Sequence, residues 1–309
     1  MGARFVPCMR NTAGVQDAKT VISWPCPNTT TLDPNDRSQH CQLSDLCGFS
    51  PVPNPKAGGG GAMTDSPEPN QWFRFIIPIF LHAGIIHIGF NMLLQLTLGR
   101  EMEIAIGPWR FALVYFSSGI FGFVLGGNFA APAIASTGAS GSLFGILALT
   151  LLDLLYSWKE HKSPWKELAF IGLDVVISFA LGLLPGLDNF SHIGGFLMGL
   201  VLGICLLHSP NVLRQRIGEN EPPYARVSTG QGKDGVVNTG VQDFVKRPIG
   251  FFKGRKPLWW VWWLVRAGAL IGVTIGFIVL LNNFYRYKQT CGWCKYLSCL
   301  VRSSLSSLD

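Results

Sequence analysis

Six runs of apolar residues, each near the length a helix needs to cross a bilayer, constrain this chain more than any other feature. They lie at about 76–99, 110–128, 139–157, 167–184, 190–208 and 259–282. The fourth and fifth are short and are separated only by "PGLD". A lipid-embedded backbone must satisfy its own polar groups, so the pattern predicts an all-α, polytopic membrane helix bundle. The composition agrees, with 48% hydrophobic residues, 14% charged residues and a mean hydropathy of +0.31. The formal net charge of +7 does not point to nucleic acid. The charges cluster in a few loops between apolar runs, which is a topology signal rather than a phosphate-binding stripe.

Those loops set the expected orientation, because Lys and Arg stay on the cytosolic side. The loop "SWKEHKSPWKE" carries Lys159, Lys162 and Lys166, and the stretch 209–257 carries nine basic residues. The loops at 129–138 and 185–189 carry none. The tryptophans of "WWVWW", 259–263, suit the cytosolic interface, with Arg266 snorkelling back to it. The first, third and fifth spans then run from outside to inside.

The chain divides into an extracytosolic Cys-containing region (1–70), a core of five spans (71–208), a basic cytosolic linker (209–257), an additional C-terminal span (258–284) and an extracytosolic Cys-containing tail (285–309). The middle of the linker, "STGQGKDG", reads as flexible. The start, "MGARFVPCMRNTAG", has no apolar stretch of the signal-peptide kind.

An outside location for residues 1–70 fits the glycosylation sequon at Asn28-Thr29-Thr30. It also fits Cys8, Cys26, Cys41 and Cys47, an even set suited to two disulfides in an oxidising compartment, with the pairing open. Cys291, Cys294 and Cys299 fall on the same side. "CGWC" has the spacing of a redox or zinc pair, but no second pair follows, which favours a disulfide. Cys205, inside a span, reads as packing.

Polar groups within spans are costly in lipid and therefore mark function by default. In the first span His87 and Asn91 are four apart and share a helix face. His82 belongs at the helix entrance. A metal shell at His82 and His87 is disfavoured, since a spacing of five puts them on different faces and no Asp, Glu or Cys stands nearby. The third span opens on Gly138, Ala139, Ser140 and Gly141. Gly141 and Gly145 form a small-residue packing pair. In the fifth span Gly195, Gly199 and Gly203 form a stripe, with His192 within about 20° of it around the axis.

Taken singly, these features read as packing glue. Taken together, the glycine faces let the third and fifth spans touch, which sets Ser140 beside His192. A nucleophile, a base and donors from His87, Asn91 and the Ser140 N–H make an acyl-transfer site.

The pattern of His82, His87 and Asn91, then Gly138-x-Ser140-Gly141, then His192 in "HIGG", resembles the rhomboid intramembrane serine proteases. The resemblance covers about 71–208, with a last span after a linker as in eukaryotic secretase-type members. "QWFRF", Gly99 and Glu103 also resemble the family and read as structural.

The resemblance implies a Ser140–His192 dyad cutting single-pass membrane proteins within the bilayer, without metal or cofactor. It implies oxyanion roles for His87 and Asn91 and supporting roles for His82, Gly138, Gly141 and Phe144. Asp188, four residues before His192, reads as a helix cap rather than a third catalytic member. At Phe144 many members carry tyrosine; phenylalanine keeps the ring against His192 and loses the hydroxyl. The resemblance also implies a span before the outer loop in which this sequence begins, so that span is either missing from the sequence or absent from this form. The expected location is integral to a secretory-pathway or plasma membrane. The alternatives are a catalytically inactive, client-binding relative engaged in quality control and a small-solute transporter using the same polar cluster.

Overall fold

The computed structural model describes residues 2–18, 22, 24–26, 40–48, 68–132, 134–182, 188–217, 256–294 and 297. The Asn28 sequon, Cys299 and residues 218–255 of the basic linker, with the "STGQGKDG" stretch, lie outside the described residues.

Short helices α1 (Val6–Met9) and α2 (Leu43–Cys47) precede the apolar core. They are stapled by Cys8–Cys47, and Cys26–Cys41 closes the two-residue antiparallel pairing of Trp24–Pro25 with His40–Cys41. Two tight 3-10 turns follow, Trp72–Phe75 and Ile77–Phe80. The core then runs α3 (Ile85–Leu94), a widened π turn over Gln95–Gly99, α4 (Arg100–Ile106), α5 (Pro108–Phe129), α6 (Ser140–Tyr156), α7 (Pro164–Gly182), α8 (Asn189–Leu206), α9 (Asn211–Ile217) and α10 (Pro257–Asn282).

The first apolar run differs most from expectation. It is not one helix from 76; regular α-helix begins only at Ile85. Pro78 lies inside a 3-10 turn, and Gly84 sits at φ +142°, which interrupts a continuous helix. His82 is thereby left in the connection before α3. The helical path continues beyond 99, through the π turn and into α4.

Among the described residues, three helices are long and apolar enough to cross a membrane: Pro108–Phe129, Asn189–Arg214 and Pro257–Tyr287. Ser140–Tyr156 is apolar but shorter. α7 carries Lys166, Glu167 and Asp174.

α5, α6 and α8 form the packed centre, while α3 and α7 lie against α6 with far less contact. Backbone proximity explains that centre. A Cβ on Gly195 would fall on the Gly141 carbonyl, and one on Gly199 on the Gly145 carbonyl. A Cβ on Gly122 would fall on the Ser191 carbonyl. Three helices approach this closely only where side chains are missing. One apolar cluster joins α4, α5, α6 and α8 through Met102, Phe111, Ile146, Leu149 and Leu202.

α10 packs on the outside of α5 and α8. Asn128 donates to the Leu280 carbonyl at 3.1 Å, and Asn283 donates to Asn128 Oδ1 at 2.8 Å. At the other end of α10, Arg266 donates to the Leu207 carbonyl at 2.6 Å and lies over the Trp262 ring. Cys205 donates to the Arg266 carbonyl, in keeping with a packing role. Cys291 and Cys294 are disulfide-bonded.

Gly195→Ala is expected to destabilise the chain by about 1–3 kcal/mol, since a fixed backbone carbonyl occupies the space. Gly268→Ala on α10, where nothing lies within 4 Å, is the neutral control. Thermal unfolding in one detergent reads both; equal melting temperatures would show that α6 and α8 do not meet along these glycines.

Candidate active site

Ser140 is the first residue of α6, so its N–H belongs to the first turn, where intrahelical acceptors are lacking. His192 lies four residues into α8. Because α6 and α8 touch along bare glycines, His192 Nε2 and Ser140 Oγ come within 2.9 Å. The Phe144 ring, one turn along α6, stacks on the imidazole at a centroid distance of 4.6 Å and an angle of 9°. That contact holds the ring plane edge-on to the serine. His192 Nδ1 is buried and has no hydrogen-bond partner among the described residues.

Asp188 does not reach that nitrogen. It accepts from the Phe190 and Ser191 N–H groups at the start of α8 and from the Ser191 hydroxyl, and it pairs with Arg4 Nη2 at 3.0 Å. It is therefore a helix cap whose charge is already engaged.

His87 sits on α3 and faces the serine from the other side. The Ala83 N–H donates to His87 Nδ1 at 3.2 Å, so Nδ1 is an acceptor and the proton belongs on Nε2. Nε2 is aimed at Gly138, where an added Cβ would stand 2.7 Å from it and 3.7 Å from Ser140 Oγ. Gly138 has φ +117°, and its N–H donates to the Pro78 carbonyl at 2.9 Å. Only glycine fits there, on backbone and on space. Asn91 is buried; its amide donates back to the His87 carbonyl at 2.7 Å, and its Oδ1 has no partner among the described residues. His82 stacks edge-to-face on His87 at 5.2 Å. Among the described residues, no group of three His, Cys, Asp or Glu is placed to hold a metal.

A cavity of about 240 Å³ opens from the Ser140–His192 pair. α3 contributes His87, Asn91 and Leu94 to its wall, and α7 contributes Asp174 and Ser178. Asp174 is not among the residues that the sequence pattern singles out, because it lies on an outward-running span; its signal is a carboxylate in the middle of an apolar run.

Reading the sequence also missed Arg4. Its backbone pairs both ways with Ser136, N to O and O to N at 2.9 Å, four residues before Ser140. Its guanidinium reaches Asp188, four residues before His192. Arg4 is fully buried; desolvation pulls its pKa down, and Asp188 opposes the shift. Arg74, likewise buried and pulled down to about 10 by desolvation, holds the same region in place. It donates to the Ala3 carbonyl at 2.7 Å, the Cys47 carbonyl at 2.8 Å and Gln71 Oε1 at 2.6 Å. The Cys-containing region thus grips the segments leading into both Ser140 and His192.

A family model described as a rhomboid domain matches residues 69–209. Rhomboid-type serine protease 2 of Emericella nidulans is 56% identical over 97% of this chain and 60% of its own length. Proteins named inactive rhomboid protein 1, from Rattus norvegicus and Homo sapiens, are each 30% identical over 84% of this chain and 24% of theirs. The chain therefore spans about three-fifths of the first of these relatives and about a quarter of the others.

Arg4→Met is expected to cost about 3–5 kcal/mol, because it leaves the Asp188 carboxylate buried without its cation. Adding Asp188→Asn, which can still cap α8, should recover most of that loss. Chemical denaturation of the two variants checks this; a double variant no more stable than the single one would show that Asp188 does not depend on Arg4 for its charge.

Proposed function

The chain belongs to the rhomboid family through its residues 69–209, and on that premise we propose that it is an intramembrane serine protease working through a Ser140–His192 dyad. One observation carries the reading, the 2.9 Å contact between His192 Nε2 and Ser140 Oγ in a cavity walled by helices. Serine is a weak nucleophile until a base takes its proton. His192 Nε2 takes that proton as Ser140 Oγ adds to a peptide carbonyl of the substrate. The carbonyl becomes an oxyanion, held by His87 Nε2–H, the Ser140 N–H and the Asn91 amide once it turns from the His87 carbonyl. His192 returns the proton to the leaving amine as the C–N bond breaks. Water, deprotonated by His192, then cleaves the acyl-serine. Ser140, His192 and water supply every proton and electron pair of this cycle.

Substrates are membrane proteins, and single-pass proteins fit a site reached from the side of a bundle. A substrate helix must unwind before cleavage, because its carbonyls are engaged in hydrogen bonds. Weak helix formers near the cleaved bond therefore favour reaction. The bare loops support a Ser140 end of the bundle that faces outside or the lumen, in keeping with a secretory-pathway or plasma membrane.

The similarity to proteins named inactive rhomboid protein 1 supports a second reading, a client-binding relative without catalysis. That reading leaves the Ser140–His192 contact without a task.

Reconstituted in lipid with a model transmembrane substrate, Ser140→Ala and His192→Ala should abolish cleavage. His87→Ala and Asn91→Ala should each lower kcat by about 10²–10³-fold with KM little changed. Cleavage by Ser140→Ala at the wild-type rate would remove the dyad, and retained client capture without any cleavage would favour the second reading.

A further inference from the structure

Asp174 is half-buried, in the middle of α7, and its carboxylate lines the cavity that holds Ser140 and His192. Among the described residues it has neither an ion-pair nor a hydrogen-bond partner. Ser178, one turn further along the same face, lines the cavity too. The neighbouring face of α7 is apolar and packs against α6 through Ile171, Val175 and Phe179. Asp174 thus lies beside the α6 contact, and the cavity it lines is also walled by Leu94 of α3 and Leu98 of the π turn. A carboxylate at this depth is costly and persists where it faces water or meets a partner.

Its depth follows from one contact. The Phe144 and Phe179 rings touch edge-to-face at 5.5 Å, which puts those positions level. Ser140 is four residues to one side of that level on α6, and Asp174 is five residues to the other side on α7. At the rise of an α-helix the two are about 13 Å apart along the bundle. A substrate lying in the cavity with its scissile bond at Ser140 spans that distance with about four extended residues or nine helical ones.

We propose that Asp174 is a specificity residue that receives a cationic side chain, Lys or Arg, of the substrate's transmembrane segment, four to nine residues inward of the scissile bond. This rests on the protease reading of the same cavity. A cation buried in a transmembrane segment is costly in lipid, and the cavity offers it a counter-charge with Ser178 as an added acceptor. An apolar residue there gains nothing from the carboxylate, and an acidic one is repelled. The site therefore selects segments that carry a membrane-buried base, a class distinct from helix weakness alone.

The test uses the full chain in lipid nanodiscs and one transmembrane peptide series, with Lys, Leu or Glu moved through that four-to-nine window. Cleavage is read on the active chain, and binding is read by fluorescence on Ser140→Ala. In at least one register the Lys peptide should be cleaved and bound about tenfold better than the Leu peptide, with Glu poorest. In Asp174→Asn the Lys-to-Leu ratio should fall to about one, and in Asp174→Lys the order of Lys and Glu should reverse. The proposal is overturned if no register shows a Lys preference, or if the ratio survives in Asp174→Asn. Charge-dependent binding without cleavage of any peptide would uphold the subsite and sink the protease reading. Cleavage and binding alike indifferent to charge would do the reverse.

Discussion

Close approach of α6 to α8 is the constraint from which the site follows. Helices with ordinary side chains pack with axes 8–10 Å apart, and interdigitation then fixes where functional groups can point. Here Gly195 meets Gly141 and Gly199 meets Gly145, with no room for a carbon added to Gly195 or Gly199. In lipid, water exclusion contributes little between helices, so van der Waals contact and interhelical hydrogen bonds carry the association. The same bare ridges that make the contact strong bring a short serine side chain within reach of an imidazole on the neighbouring helix.

The second constraint acts on the ends of those helices. Each carries one member of the Ser140–His192 pair in its first turn, where backbone N–H groups lack partners and helices fray. Asp188 caps α8, Gly138 fits a tight turn ahead of α6, and Arg4 is bonded both to Ser136 and to Asp188. The disulfide at Cys8 and the buried Arg74 fan hold the segment bearing Arg4. A buried ion pair contributes little net stability, because desolvating both charges costs nearly what their attraction returns. Its consequence is geometric: the paired groups stay where they are, and so do the turns attached to them.

The cavity has two unlike walls. α8 and α6 present the tightly packed, hydrogen-bonded side, while α3 and α7 rest more lightly on α6 and expose apolar residues such as Ile85, Ile86, Phe170 and Val176. A bundle with one rigid and one loose side can hold reacting groups still and admit a bulky segment. The carboxylate of Asp174, without a partner among the described residues, lies on the loose side.

The linear sequence determined the helical class, because apolar runs of span length leave no other way to satisfy a backbone in lipid. It also determined which faces of α6 and α8 could touch, because a glycine every fourth residue is a property of the helix alone. The cap at Asp188 was legible for the same reason, being a local bond between residues two and three apart. The break at Pro78 and Gly84 was written locally too, but hydropathy averaged over it. The tertiary structure alone decided what depends on residues distant in the chain: the partner of Asp188 is 184 residues away, the cysteine pairing is Cys8–Cys47 and Cys26–Cys41, and Asp174 faces the cavity instead of lipid. Periodicity places a side chain on its own helix, but which neighbour it meets depends on the rotation and depth at which the helices pack, and no single segment encodes those.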